Sequence, residues 1–594
     1  SLGLVGSEMC IRDRIMERWL FMSNNCELVE ELRKLKKSSL EAVDSEKEFS
    51  DFKQYMHIHR KVEDDLISTI EHAKNLPGKC LVLVCGNVGD GKSHLISYLK
   101  HHENRYLDGF EIHNDATESF DRYKDEKQTL AEVLSEFSDE RLQEYGECKK
   151  IVAINMGVLS NFLESEQGSD FTKLAQYVED NKILTSTDIG EVSDENNIFF
   201  HVNFGDYHIY RLCDGKIESP YISQLMDKVF TDLPNNHFYS AFKYHCSLCP
   251  FFDKCPVRYN YEMLSNSKIK EGVISVITET IVKDKIILST RDLLNFFYDI
   301  CVFPEFSLKF LTRSRDSFSD YLNYTIPNML YEHEDVSMLL QHINSYDYLN
   351  RRSEEFDDLI TRFNTADKVS DIFDKNLEDS PCKEYMLKNK DQYDGISSKR
   401  DAVFKYLGRL IRISGKDGFG DVDADFDEFI RYVYAAARND IRSLQTIYKI
   451  VNSCIYKWNG SSDTSHIITP TSNIDYMIST NIEVKPSVKP AVPEDVTVID
   501  KFTPNLTLTF EQKDTAQTAS ISIDYDLYKM LKKVASGYRP TAQDNNHFAG
   551  FVSFVKRLVN CSKDDITILH YSHDEIKKYR LEYTVFGSYE FREV

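Results

Sequence analysis

The octapeptide Gly86-Asn87-Val88-Gly89-Asp90-Gly91-Lys92-Ser93 constrains this chain more than any other stretch. It matches GxxxxGK[ST] at every fixed position and follows directly on the apolar run Cys80 to Cys85. A short apolar run stopped by glycine reads as a buried parallel strand. The residues from His94 to His101 have helical spacing, so the expected order is strand, tight glycine turn, helix. Glycines let the backbone curl with its N–H groups pointing inward, the arrangement that binds phosphate oxygens. In that pattern Lys92 reaches the β- and γ-phosphates, and the Ser93 hydroxyl takes a place on Mg²⁺. The expected cofactors are ATP and Mg²⁺, and the expected nucleotide contacts are Gly86, Asn87, Val88, Gly89, Asp90, Gly91, Lys92, Ser93 and His94. The guanine-specifying NKxD pattern is absent, since Asn181-Lys182-Ile183-Leu184 lacks the Asp, which favours ATP over GTP.

Three further strands are expected at Phe110 to His113, Ile151 to Ile154 and Ile198 to Phe204. Helical stretches at Thr129 to Phe137 and Phe171 to Asp180 separate them. Alternation of this kind gives βαβ units and a parallel sheet. Ahead of the first strand, Glu27 to Glu41 and Phe49 to Ile70 read as helices. Beyond residue 235 helical spacing dominates, at Gly272 to Lys283, Arg291 to Cys301, Phe356 to Phe363, Asp401 to Ser414 and Phe426 to Trp458. Five prolines between Pro470 and Pro504 then mark a linker or extended arm. After it, Asn505 to Phe510 and Ser520 to Tyr525 alternate as a hairpin, followed by two helices and strands at Ile566 to Leu569 and Tyr579 to Phe586.

The expected fold class is thus an α/β P-loop NTPase core, AAA-like, with a parallel sheet, followed by a helical lid region and a small C-terminal α+β domain. The expected divisions are a non-native leader 1–14, an N-terminal helical segment 15–72, the α/β core 73–235, a cysteine-cluster insert 236–270, the helical region 271–460, the linker 461–504 and the C-terminal domain 505–594. The leader SLGLVGSEMCIRDR shows neither helical nor strand period, and Met16 or Met22 is the more natural start.

A site of this type needs a carboxylate to hold the Mg²⁺ through water, normally at the end of a second strand. The third expected strand ends in Asn155, which can bond a metal-bound water but brings no charge. Asp115, after the second strand, is the preferred carboxylate, with Asp206 after the fourth strand as the other choice. Asn203 is a candidate γ-phosphate sensor. In Ser289-Thr290-Arg291-Asp292, Ser289 or Thr290 suits a helix N-cap. Arg291 would then sit where a lid arginine reaches back to the phosphates, or otherwise in a structural ion pair. Lys92, Asp115, Asn155 and Arg291 are the catalytic candidates.

Three of thirteen cysteines fall in Cys246-x2-Cys249-x5-Cys255-Pro256. Two thiolates three residues apart can grip a soft metal, so Zn²⁺ is the default and an iron–sulfur cluster the alternative. His245 is adjacent and Cys213 precedes the cluster, and either could be the fourth ligand. The total of thirteen is odd and the remaining cysteines are scattered, which fits a reducing cytosol better than a disulfide framework.

The formal net charge is -24 over 594 residues. Such a field opposes nucleic acid and anionic membranes, so contact with DNA needs a local basic patch or a partner. Lys405, Arg409, Arg412 and Lys416 share one face of a helix, opposite Val403, Leu407 and Leu410. That stripe reads either as a phosphate contact or as a solvated face. Arg33, Lys34, Lys36 and Lys37 form a similar group. No apolar run approaches the ~18 residues that a membrane span needs.

Several motifs together resemble the DptF family. They are Cys85 through Leu95, His113-Asn114-Asp115-Ala116-Thr117-Glu118-Ser119, Ile154-Asn155-Met156-Gly157-Val158-Leu159, and the Cys246/Cys249/Cys255-Pro256 cluster. That family is the P-loop component of bacterial phosphorothioation-dependent DNA restriction systems. The resemblance runs from about Phe49 to Phe297. It implies a cytoplasmic antiphage-defence subunit working with DptG-like and DptH-like partners, meeting DNA through the complex and using no membrane. Two functions follow as expectations: an ATP-hydrolysing restriction subunit, or a nucleotide-dependent scaffold with little hydrolysis.

Overall fold

The computed structural model describes residues 26–41, 51–87, 89–114, 126–184, 198–312, 318–350, 354–414, 423–461, 466–470, 476–487, 497–500, 502, 504–513, 516–560, 566–571, 576–584 and 587–593. The leader 1–14, Met16, Met22, Val88, Asp115 and Lys416 lie outside these. The chain forms two compact units, one of residues 1–210 with 219–421, the other of 211–218 with 422–594.

The first unit is built on a four-stranded parallel sheet. Its strands are β1 (Lys79–Gly86), β2 (Glu111–His113), β3 (Cys148–Asn155) and β4 (Phe199–Asn203), in the order β2-β3-β1-β4. β1 is central because both of its faces are apolar. Leu81, Leu83 and Cys85 pack with Leu130, Phe137, Val152, Ile154, Phe162 and Leu174 on one side. Val82 and Val84 pack with Val62, Leu66, Ile70, Leu95, Ile96 and Leu99 on the other. Each fully buried side chain of this size stabilises by ~1.5–3 kcal/mol, so the strand's position is strongly fixed. The register sets Gly86 opposite Asn155 and Cys85 opposite Asn203, bringing three strand ends to one edge.

Two expected helices are interrupted. The stretch Phe49 to Ile70 forms Asp51–Met56 and Lys61–Asn75, with residues 57–60 as a link between them. Thr129 to Phe137 is an α-helix, Glu126–Val133, with a 3₁₀ turn, Ser135–Phe137. The helix Glu27–Glu41 has the expected bounds and packs on Thr290–Cys301 through its buried Leu28, Leu32 and Leu35.

Further along this unit, Ser267–Asp284 packs against Arg400–Ser414. The approach is so close that a Cβ on Gly272 would lie 2.1 Å from the Ile413 carbonyl oxygen. This closeness overturns the basic stripe. Arg409 is 5% exposed and Arg412 9%. Arg409 donates to Asp347 (2.8 Å), Glu332 (2.6 Å) and Asn328 (2.8 Å), and Arg412 donates to Glu279 (2.6 Å). A helix enclosed on several sides has its cations matched by carboxylates from neighbouring helices, and neither reading of a solvent-facing stripe holds for these two arginines. In the other basic group, Arg33 pairs with Glu30, Lys34 with Glu31, and Lys36 with Asp299.

The second unit combines helices with antiparallel sheets. The helical stretch Phe426 to Trp458 forms two helices, Ala424–Ala437 and Ile441–Lys457. Asn439 between them takes a left-handed φ of 53°, and Asp440 caps the second helix through the Arg442 and Ser443 N–H groups. The stretch 461–504, expected as a linker, supplies strands His466–Pro470, Tyr476–Asn481, Val484–Pro486 and Val498–Ile499. The expected hairpin is present as Leu506–Gln512 paired with Thr518–Ile523. Among the described residues no helix is long and apolar enough to cross a membrane.

Candidate functional site

The glycine loop leaves the carboxyl end of β1 and enters the helix Lys92–His102 at Gly91. Gly89 and Gly91 have φ of 86° and 96°, the left-handed region where only glycine is unstrained. Gly86 is required by closeness: a Cβ there would meet Phe204 Cβ at 2.9 Å and Asp90 Oδ2 at 3.0 Å. Asp90 braces the loop by accepting the Asn87 N–H at 2.6 Å. Lys92 Nζ arches over it and donates to the Asn87 carbonyl at 2.6 Å. Burial pushes the Asp90 carboxyl up from its ordinary range. The Asn87 N–H, Lys92 and Arg60 act in the opposite direction, and Asp292 adds to the rise.

Arg60 and Asp292 are therefore neighbours of the loop, and no local sequence pattern pointed to Arg60. It lies in the link between two helices, donates to the Tyr207 carbonyl (3.1 Å) and sits 4.9 Å from the Tyr221 ring centre. The helix Thr290–Cys301 brings Asp292 in, and its capping box joins Ser289 and Asp292. That helix start is seated on the glycine loop, because a Cβ on Gly89 would lie 2.9 Å from both Ser289 Cβ and Oγ. Arg291 stands in the same first turn, half-buried, and Thr290 bonds the Tyr221 hydroxyl at 2.6 Å.

His94 is half-buried and meets His57, 3.2 Å between ring nitrogens. Burial, then His57 and Lys53, lowers its pKa to about 4, so it is neutral at pH 7. It acts as a packing and hydrogen-bonding residue behind the loop.

The polar strand ends have distinct partners. Asn155 Oδ1 accepts the Gly157 N–H at 2.9 Å and caps the helix Met156–Leu163, so that oxygen is engaged locally. Asn203 donates to Asp206 at 3.2 Å and accepts from the Gly205 N–H at 3.0 Å. Asp206 raises the pKa of Cys85 at the end of β1, though less than burial does, so its carboxylate is close to the loop's root. Ser93 Oγ donates to the Asn114 carbonyl at 3.3 Å. Asn114 Oδ1 is buried and has no hydrogen-bond partner among the described residues. An unused buried acceptor beside Ser93 fits a site whose missing partner is a hydrated cation or a ligand. The residues present therefore fit Mg²⁺ and a polyphosphate.

Gly89→Ala is expected to cost about 1–3 kcal/mol, since it combines left-handed strain with a clash at Ser289. Urea denaturation should show that loss, with Gly146→Ala, where a Cβ meets only the end of Lys79 at 3.8 Å, as the mild control.

At the cysteine cluster, Cys246 and Cys255 are buried while His245 is exposed. Cys213 belongs to a strand of the second unit, opposite Val498. All three cluster thiols are free. Among the described residues no three His, Cys, Asp or Glu side chains converge as ligands of one metal ion.

In comparisons with known proteins, the chain matches no family model, no curated protein and no solved structure.

Proposed function

We propose that the chain is a P-loop NTPase that binds Mg·ATP on the Gly86–Ser93 loop. The observation that carries this reading is the loop itself, strand-anchored and closed by Lys92, with the Ser289 helix start seated on Gly89. The Gly89, Asp90 and Gly91 backbone and the Lys92 ammonium would hold the phosphates. Ser93, with Asn114 and Asp206 near the loop, would hold the cation, which when bound neutralises phosphate charge. Arg60 and Arg291 are the further cations available to the γ-phosphate. The AAA-like lid is the helical region that includes the helix Thr290–Cys301. Since Ser289 touches the loop, a change at the phosphates would be felt directly by that helix, and partners could read the result.

The motifs shared with the DptF family support a place in a phosphorothioation-dependent restriction complex, with DptG-like and DptH-like partners and DNA met through them. The chain's charge of -24 agrees with a subunit that does not hold DNA alone. A second reading, binding with little hydrolysis, is favoured by Asn155, an uncharged strand end whose side-chain oxygen is already bonded to Gly157. Single-turnover hydrolysis of ATP, with and without DNA and the partner subunits, separates the two. The restriction-subunit reading expects turnover that rises when partners and DNA are added. ATP retained intact under all conditions would leave the scaffold reading.

A further inference from the structure

The cluster Cys246-x2-Cys249-x5-Cys255 has lacked a fourth ligand, and the fold supplies one that sequence spacing could not. The helix Glu27–Glu41 packs against the turn Ala241–His245 that leads into Cys246. Cys26 stands immediately before that helix, and its carbonyl accepts the Glu30 N–H at 2.9 Å. It is a free thiol in the same compact unit as the cluster. Burial is the main effect raising the pKa of Cys26, Cys246 and Cys255. Next to it, Cys26 interacts as a like charge with Cys249, with Cys246 and with Cys255. All four sulfurs are therefore grouped within electrostatic reach of one another.

Several local groups oppose that rise. Backbone N–H groups two and three residues on favour the charged sulfur at Cys26 (Leu28, Val29) and Cys255 (Val257, Arg258), and Phe251 does so at Cys249. Cys26 and Cys255 each sit at the start of a helix, where the dipole favours negative charge. Arg258 lowers the cost of ionising Cys246. It pairs with Glu262 at 3.0 Å, yet its Nε is buried without a hydrogen-bond partner.

Size decides which metal group fits. A single Zn²⁺ with Zn–S bonds of ~2.3 Å draws its sulfurs to about 3.8 Å from each other. No three of these side chains converge in that way. A cubane iron–sulfur core holds its ligands further apart than one ion does, so it accepts grouped thiols that do not converge on a single point, and Cys255-Pro256 is the Cys-Pro pairing familiar around such clusters.

We propose that Cys26, Cys246, Cys249 and Cys255 hold an iron–sulfur cluster, with Cys26 as the fourth ligand. Each thiol gives up its S–H proton to solvent as an iron–sulfur bond forms, and the cluster's irons and sulfides come from the cell's assembly supply. Because the whole parallel sheet lies between Cys26 and Cys246 in sequence, the centre staples the N-terminal helix to the segment after the sheet. Its role is structural, and it stands independently of the nucleotide reading.

The test is elemental analysis and visible spectroscopy of the full chain, purified without oxygen or chelator from iron-supplied cells. The expected result is about four irons and four acid-labile sulfides per chain, with broad visible absorption. Cys26→Ser should lose most of the iron, while His245→Ala and Cys213→Ser keep it. Far-ultraviolet circular dichroism checks that Cys26→Ser is folded, and the wild-type content tests the centre by itself if it is not. Zinc without sulfide would overturn the cluster. Wild-type protein carrying neither metal, or iron content indifferent to Cys26 in a folded variant, would overturn the four-cysteine centre.

Discussion

Lys92→Ala is expected to weaken ATP binding about 100-fold while the melting temperature stays within about 2 °C of the parent. The affinity loss is the ~3 kcal/mol of a charge-assisted hydrogen bond to phosphate. The fold is spared because Lys92 Nζ donates to the carbonyl of Asn87, inside its own loop. The helix it begins is held instead by Leu95, Ile96 and Leu99 in the core. Calorimetric titration with ATP and Mg²⁺, paired with a thermal melt, reads both quantities. Equal affinities in parent and variant would remove Lys92 from the phosphate site.

Arg409→Glu is expected to cost about 3–5 kcal/mol, the loss typical when one partner of a buried ion pair is removed. The reversal strands Asp347 and Glu332 and places a third carboxylate among them. Urea denaturation of the full chain measures it. Lys405→Glu, on the exposed side of the same helix, should stay within about 0.5 kcal/mol. If both substitutions had the small effect, Arg409 would be a solvated surface residue. DNA binding by an assembled complex should not depend on Arg409 or Arg412 beyond what loss of folding explains.

The contrast between these two lysine and arginine positions shows what sequence can carry. Everything that makes Lys92 special is local: an apolar strand, glycines at fixed spacing and a helix start, all within one short stretch. The helix of Arg409 has an equally clear period, but the period gives only which residues share a face. Its burial depends on Ser267–Asp284 approaching at Gly272, and its partners come from Glu279, Glu332 and Asp347 on other segments. Local chemistry also explains the helix break at Asn439, where a left-handed residue and an Asp cap overrule a continuous apolar spacing. The prolines at 470 and 486 read as a linker because they cannot donate to a ladder. In the structure each falls at the end of a strand, where that loss is tolerated. Within the candidate site, the loop and the Ser289 helix start were legible as motifs. Arg60 and Cys26 were not, since each acquires its meaning only from residues distant in sequence.

The most direct measurement of the central claim is a calorimetric titration of the 594-residue chain with ATP in the presence of Mg²⁺, repeated with GTP. The account predicts saturable binding at one site per chain, weaker for GTP and lost on removal of Mg²⁺ or of the Lys92 ammonium. Absence of saturable heat, together with an unshifted melting temperature at millimolar ATP, would contradict it.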